Sequence, residues 1–167
     1  MRRLQEEFFA RPCLEVGPEL VGKLIVFQGR RLRISETECY CGEKDTACHA
    51  RFGRTPRTEV LYGRPGTVYL YLCYGIHWLL NIVTGAEGEP EAVLIRACFE
   101  APGPGRLTKA LGLDGAWNRA SVLSSQELWI EDDGARFEIL PDTRVGIGYA
   151  SEEDQKRLWR FKAGRRI

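Results

Sequence analysis

The clearest hydrophobic pattern lies in residues 67–84, where aromatic and aliphatic side chains run in alternation and the run is broken only at Tyr74-Gly75. A period of two puts successive side chains on opposite faces of a strand, so this segment predicts a hairpin with Tyr74 at its tip. Leu24-Ile25-Val26-Phe27, the turn-like Gln28-Gly29-Arg30 and residues 32–40 predict another hairpin. Further strands are expected over 92–98, 128–130 and 137–140, with Asp133-Gly134 turning between the last two. Leu107, Ala110 and Leu111 recur at helical spacing after Gly103-Pro104-Gly105, and Gly112 is a plausible stop. Short helices are also expected around Leu20 and Val21, with Pro18 in the first turn, and over 118–123. Phe8, Phe9 and Leu14 form an apolar anchor. Together these elements predict an α+β fold: a single domain over residues 1–167, mainly antiparallel β-sheet with short peripheral helices.

Residues 42–66 break the pattern. Gly42, Gly53, Pro56, Gly63 and Pro65 punctuate the stretch, and Arg51, Arg54, Arg57 and Arg64 charge it, a composition suited to a loop lining a groove. The formal net charge is only +1, but its distribution is uneven. A second basic cluster, Lys156, Arg157, Arg160, Lys162, Arg165 and Arg166, surrounds Trp159 and Phe161, while Glu127, Glu131, Asp132, Asp133 and Glu138 gather the compensating acids. Two basic patches opposite an acidic face are what a polyanion partner would require, although each cluster alone also fits an ordinary solvated surface. No apolar run reaches the roughly 18 residues of a membrane span, and the first residues lack a signal-peptide core, so a soluble, cytoplasmic protein with reduced cysteines is expected.

The unusual chemistry sits in Ile34-Ser35-Glu36-Thr37-Glu38-Cys39-Tyr40. Alternation places Glu36, Glu38 and Tyr40 on one side of a strand that would otherwise carry aliphatic groups. Burying a carboxylate there is costly, so it needs a partner or a function. Arg96 is the only charge in Val93-Leu94-Ile95-Arg96-Ala97 and needs a partner too, so Glu38 paired with Arg96 or Arg33 is the bland reading. Taken singly, His49 fits a satisfied loop histidine, Tyr71 a core residue, Asn81 a hydrogen-bonded strand amide and Tyr74 an interface tyrosine.

Taken jointly, Glu36-Thr37-Glu38-Cys39-Tyr40, Cys48-His49 and Tyr69-Leu70-Tyr71-Leu72-Cys73-Tyr74-Gly75 resemble the alkyladenine (3-methyladenine) DNA glycosylase family, over most of the chain. In that family's Glu-Thr-Glu-Ala-Tyr motif the second Glu is the general base, which the resemblance assigns to Glu38, with Glu36 in support. It implies that the flipped base stacks between Tyr40 and the pair His49 and Tyr71. Asn81 matches the residue that narrows the pocket floor against guanine's exocyclic amine. Tyr74 matches the wedge that fills the gap in the duplex. Arg96 matches the arginine that helps hold the attacking water, and Val145, in Arg144-Val145-Gly146-Ile147-Gly148, matches the valine whose carbonyl does likewise. Arg51, Arg57 and Arg106 are expected on the DNA backbone, the last at a helix amino end suited to a phosphate.

The resemblance implies a monofunctional hydrolase that needs no cofactor and no metal, acts on double-stranded DNA containing damaged purines, and works as a monomer. No lysine falls at the matched positions, so water rather than an amine is the expected nucleophile. The chain resembles a shortened member: cysteines occupy positions 39 and 41, Thr58-Glu59 replaces a usual Asn-Arg, a segment before Gly103 is nearly absent, and the chain stops at Ile167 ahead of the customary aromatic ending. Two alternatives are a non-catalytic module that binds damaged DNA, and a zinc site built from Cys39, Cys41, Cys48 and His49 with Cys13 or Cys73 nearby.

Overall fold

The alternating segments assemble into one nine-stranded antiparallel sheet in the computed structural model, which describes every residue from Met1 to Ile167. In chain order the strands are β1 Arg2–Arg3, β2 Leu24–Phe27, β3 Arg30–Cys41, β4 Val68–Cys73, β5 His77–Thr84, β6 Glu91–Cys98, β7 Leu128–Asp132, β8 Phe137–Asp142 and β9 Arg160–Arg166. Their order across the sheet is β1-β7-β2-β3-β6-β5-β4, with β9 pairing both β3 and β8. The helices are short: α1 Glu6–Phe9, α2 Cys13–Leu20, α3 Pro104–Leu111 and α4 Glu152–Lys156. The fold is therefore the expected α+β architecture, and both predicted hairpins form.

The two faces of the sheet are covered differently. Ile34 and Cys39 of β3, Leu80 and Ile82 of β5, and Val93 and Ile95 of β6 join Val16 and Leu20 of α2 and Leu107 and Leu111 of α3 in one cluster of 25 buried residues. The close approach of α2 depends on Gly17, where a Cβ would collide with Cys39 Sγ. Thr37 Oγ1 donates to the Gly17 carbonyl at 2.8 Å and fixes the contact. The opposite face carries a smaller cluster in which Tyr69, Val83 and Ala92 meet Cys48, Ala50, Val60, Leu61 and Tyr62. Those last residues come from the Gly- and Pro-rich segment, which folds as turns and two short 3-10 helices, His49–Phe52 and Thr58–Tyr62.

Several local expectations are corrected. Pro18 lies in the last turns of α2, not its first, because the helix starts directly after Pro12. Residues 118–123 form no helix: Arg119 N–H bonds Val68 O, Val68 N–H bonds Ala120 O and Val122 N–H bonds Gly66 O, so the segment covers the outer edge of β4. Ala110 is exposed on α3, and Thr108 joins Leu107 and Leu111 on its buried face. Strands β7 and β8 do not pair with each other: β7 joins β1 and β2, and β8 joins β9. The basic C-terminal cluster is largely structural. Lys156 pairs with Glu152, Arg157 with Glu153 and Asp154, Lys162 with Asp142, and Arg160 with Glu36 and Asp142.

Candidate active site

Directly opposed residues of an antiparallel ladder project from the same face. The register Glu38↔Leu94↔Asn81↔Tyr69 therefore lays one row across β3, β6, β5 and β4, on the face away from α2 and α3. Tyr40, Ala92 and Val83 form the adjoining row. The 42–66 segment closes over these rows and leaves an open cleft of about 340 Å³ lined by Tyr40, Ala47, Cys48, His49, Leu61, Tyr69, Tyr71, Asn81, Ala92 and Tyr149.

Glu38 is completely buried beside this cleft. Its Oε2 accepts the Val145 N–H at 2.7 Å, and its Oε1 accepts the Tyr40 hydroxyl at 2.8 Å. Arg96 Nη1 stands 3.6 Å from Oε1, while Arg96 Nε stands 3.5 Å from Glu36 Oε2. Burial pushes the Glu38 carboxyl above its ordinary value of 4.5; Arg96, the Val145 N–H and the Tyr40 hydroxyl offset only part of that effect. A carboxylate held in this way is a stronger proton acceptor than one in water. Both of its oxygens are also oriented before any ligand arrives.

The loop that supplies the Val145 N–H is tied by a buried ion pair to the turn that follows β3, and by a hydrogen bond to β3 itself. Arg144 donates to Asp45 at 2.7 and 3.0 Å and to the Cys39 carbonyl at 3.0 Å, with its guanidinium carbon 5.1 Å from the Tyr40 ring centre. Neither charge of this pair is exposed to solvent, so removing one would strand the other.

On the far wall, His49 Nδ1 shares a 2.9 Å hydrogen bond with the Tyr69 hydroxyl, and the His49 and Tyr71 ring centres are 4.6 Å apart at 63°. Burial first, then the charges of Arg57 and Arg51, push His49 down to about 4, so its imidazole is neutral at physiological pH. Asn81 is buried with its side-chain amide 3.2 Å from the Tyr69 carbonyl. Tyr40, His49, Tyr71 and Asn81 thus line one cleft, and Glu38 adjoins it through the Tyr40 hydroxyl, with Arg96 behind the carboxylate.

Tyr74 stands apart from the cleft at the tip of the β4–β5 hairpin, with 92 % of its surface exposed. Tyr74 and Gly75 both have positive φ, and the Ile76 N–H closes the turn on the Cys73 carbonyl at 3.1 Å. That backbone is what a tight two-residue hairpin turn requires; it is natural for Gly75 and strained for a tyrosine. Arg51 stacks on Phe52 and Tyr149, 4.2 and 4.6 Å from their centres, and Arg57 lies 5.4 Å from the Tyr71 ring centre. Neither arginine takes part in an ion pair, whereas Arg64 of the same segment binds Glu6. Arg106 is exposed in the first turn of α3.

Tyr69, Tyr149 and the Arg144–Asp45 pair escaped the sequence reading. Tyr69 shares its strand face with Tyr71, so alternation carried a signal for it. Tyr149 and Asp45 lie in irregular segments, where no period announces a contact across about a hundred residues. The four residues of the zinc alternative do not converge. Cys39 is packed against α2 with its thiol donating to the Cys13 carbonyl at 2.9 Å, whereas Cys48 and His49 belong to the opposite face.

Comparison with known proteins gives one consistent result. The family model described as methylpurine-DNA glycosylase matches residues 7–101 and 99–166. Among curated proteins, one from Rickettsia felis is 40% identical over 165 residues, covering 95% of this chain and 91% of its own. One from Methanocella arvoryzae is 43% identical over 182 residues, covering 95% and 90%. One from Nitrosococcus oceani is 42% identical over 177 residues, covering 95% and 88%. All three bear the name "Putative 3-methyladenine DNA glycosylase".

Proposed function

The chain belongs to the methylpurine-DNA glycosylase family, and we propose that it is a monofunctional DNA glycosylase of base excision repair, hydrolysing the N-glycosidic bond of alkylated or deaminated purines with a water activated by Glu38. The observation that carries this reading is a fully buried carboxylate with a raised pKa, oriented by two donors beside an aromatic cleft. Such a group fits the role of a general base and stabilises positive charge developing on the sugar.

In this reading the lesion is extruded from the duplex and stacked between Tyr40 and the pair His49 and Tyr71, while Asn81 limits the pocket floor and Tyr74 fills the vacated stack. Arg96 and the Val145 carbonyl hold the water. As the water oxygen bonds to the sugar C1′, its proton passes to Glu38 and the C1′–N bond breaks, its electron pair leaving with the purine. A neutral His49 suits a cationic methylated purine, since tyrosine faces attract the positive ring and an uncharged imidazole does not repel it. The relatives are named for 3-methyladenine, which is the first substrate to test; hypoxanthine and ethenoadenine are further candidates. No lysine lines the cleft, in keeping with hydrolysis by water rather than an amine nucleophile. Arg51, Arg57 and Arg106 would contact phosphates, and the proposal needs no cofactor.

The test is single-turnover release of free base from methylated duplex DNA by wild type and Glu38→Gln. Wild type should release 3-methyladenine, and the variant should lose on the order of 10³-fold in rate while still binding the lesion. Equal release by both would remove Glu38 from its role. Tight binding of several lesions without release would make the protein a damage-binding module.

A further inference from the structure

The ion pairs around Glu38 continue beyond Arg96. Arg160 of β9 lies directly opposite Glu38 of β3 in the strand register, and its guanidinium is used on three sides. Its Nε donates to the Thr143 carbonyl at 2.6 Å, Nη1 meets Glu36 Oε2 at 3.3 Å and Nη2 meets Asp142 Oδ2 at 3.0 Å. Two of these contacts lead towards the same carboxylate. Thr143 lies two residues before Val145, whose N–H holds Glu38 Oε2. Glu36 is shared with Arg96, whose other end faces Glu38 Oε1.

We propose that Arg160 is a positioning residue for base release, fixing both the Val145 N–H and the Arg96 guanidinium against Glu38. This rests on the hydrolytic reading of the site. A simple β8–β9 staple would be the competing role, and the structure supplies a control for it. Lys162, on the same strand and paired with Glu36 through the ladder, also binds Asp142, at 2.9 Å, but its side chain reaches neither Glu36 nor Thr143. If stapling were all that mattered, Arg160 and Lys162 would be equivalent. The charged and titratable groups around Glu38 are Glu36 and Tyr40 on its own strand, Arg96 on β6, Arg160 on β9 and Tyr71 on β4. Arg160 adds its positive charge to that of Arg96 in favouring the ionised carboxylate.

The experiment compares wild type, Arg160→Gln, Arg160→Lys and Lys162→Gln as full chains. It measures single-turnover release of base from methylated duplex DNA between pH 5 and 8, lesion affinity and the unfolding midpoint. Arg160→Gln should lower the rate at pH 7 by about 10- to 100-fold, with lesion affinity unchanged. Its acid limb should move to higher pH, because a charge that favours ionised Glu38 is gone. Arg160→Lys keeps the charge but cannot meet three acceptors at once, so it should restore the acid limb and only part of the rate; it also supplies the comparison if Arg160→Gln fails to fold. Lys162→Gln should leave rate and pH profile at wild-type values. Arg160 variants with the rate and profile of Lys162→Gln would overturn the proposal while leaving wild-type release intact. No release by wild type would instead remove the hydrolytic reading, and this inference with it.

Discussion

The two faces of the central sheet are made by the same strands and obey different rules. On the face under α2 and α3, the inward positions are apolar apart from Thr37 and Thr84, and 25 buried residues form one continuous cluster. On the other face, the matching positions hold Glu38, Arg96, Asn81, Tyr69, Tyr71 and Tyr40, and the apolar cluster shrinks to eight. Alternation assigns each residue to a face, so a single strand can supply core and chemistry together: in β3, Thr37 and Cys39 pack inward while Glu38 and Tyr40 turn to the cleft. The difference teaches that the first face holds the fold together and that the second spends some of that stability on a buried charge.

That contrast can be broken by exchanging insults between the faces. The largest effect is predicted for Glu38→Gln, which should remove base release by on the order of 10³-fold without unfolding the protein. The glutamine can accept the Val145 N–H and donate to the Tyr40 oxygen, and Arg96, which loses Glu38, keeps Glu36 as its partner. Next comes Leu80→Ala on the opposite face, where a fully buried side chain leaves a cavity. Urea unfolding should register a loss of about 2–5 kcal/mol, with base release per folded molecule preserved. A Leu80→Ala variant of unchanged stability would contradict the division of labour.

A smaller effect is expected from His49. Its folded-state pKa, about 4, lies below the ordinary 6.5. As pH falls from 6.5 the unfolded chain takes up a proton that the folded protein refuses until about 4, so stability should decline across that window, by at most about 1.4 kcal/mol per pH unit. His49→Gln should flatten this part of the stability profile, read by urea unfolding at successive pH values. Identical slopes in the two proteins would mean that His49 is not held neutral by its setting.

The sheet was legible in the sequence because period-two alternation reports a strand and its buried face directly. The hairpin that carries Tyr74 and the side of β3 that bears Glu38 and Tyr40 follow from it, while the α3 stop at Gly112 follows from helical spacing ended by a glycine in the left-handed conformation. What failed was local. Pro18 suggested a helix start because proline favours first turns, but Pro12 already occupied that place ahead of α2. Residues 118–123 looked helical because no pattern reveals that their backbone is needed to cover the β4 edge. Within the candidate site, alternation put Glu38, Tyr40, Tyr71 and Asn81 on the faces of strands but did not single out Tyr69 beside them, and His49 and Val145 were named only through the family resemblance. Tyr149 and Asp45, in irregular segments, carry no periodic signal, since only the folded chain brings them to the site. Arg160 shows a third case: a charge counted among surface basic residues in the sequence becomes, through β9 pairing, a partner of the buried carboxylate row.

The most direct test of this account is the difference in unfolding free energy between Glu38→Gln and wild type, followed from pH 4.5 to 8. Burial raises the folded-state pKa of Glu38 above its unfolded value, so the folded protein holds the proton more tightly than the unfolded chain does. Wild-type stability should therefore fall relative to the glutamine variant as pH rises through that folded pKa, then level off. The predicted result is a variant that gains stability over wild type towards neutral pH in the same range where wild-type base release switches on. A wild type that gains stability over the variant as pH rises would contradict it, showing that Glu38 is an ion-pair strut of the fold rather than a charge held there for chemistry.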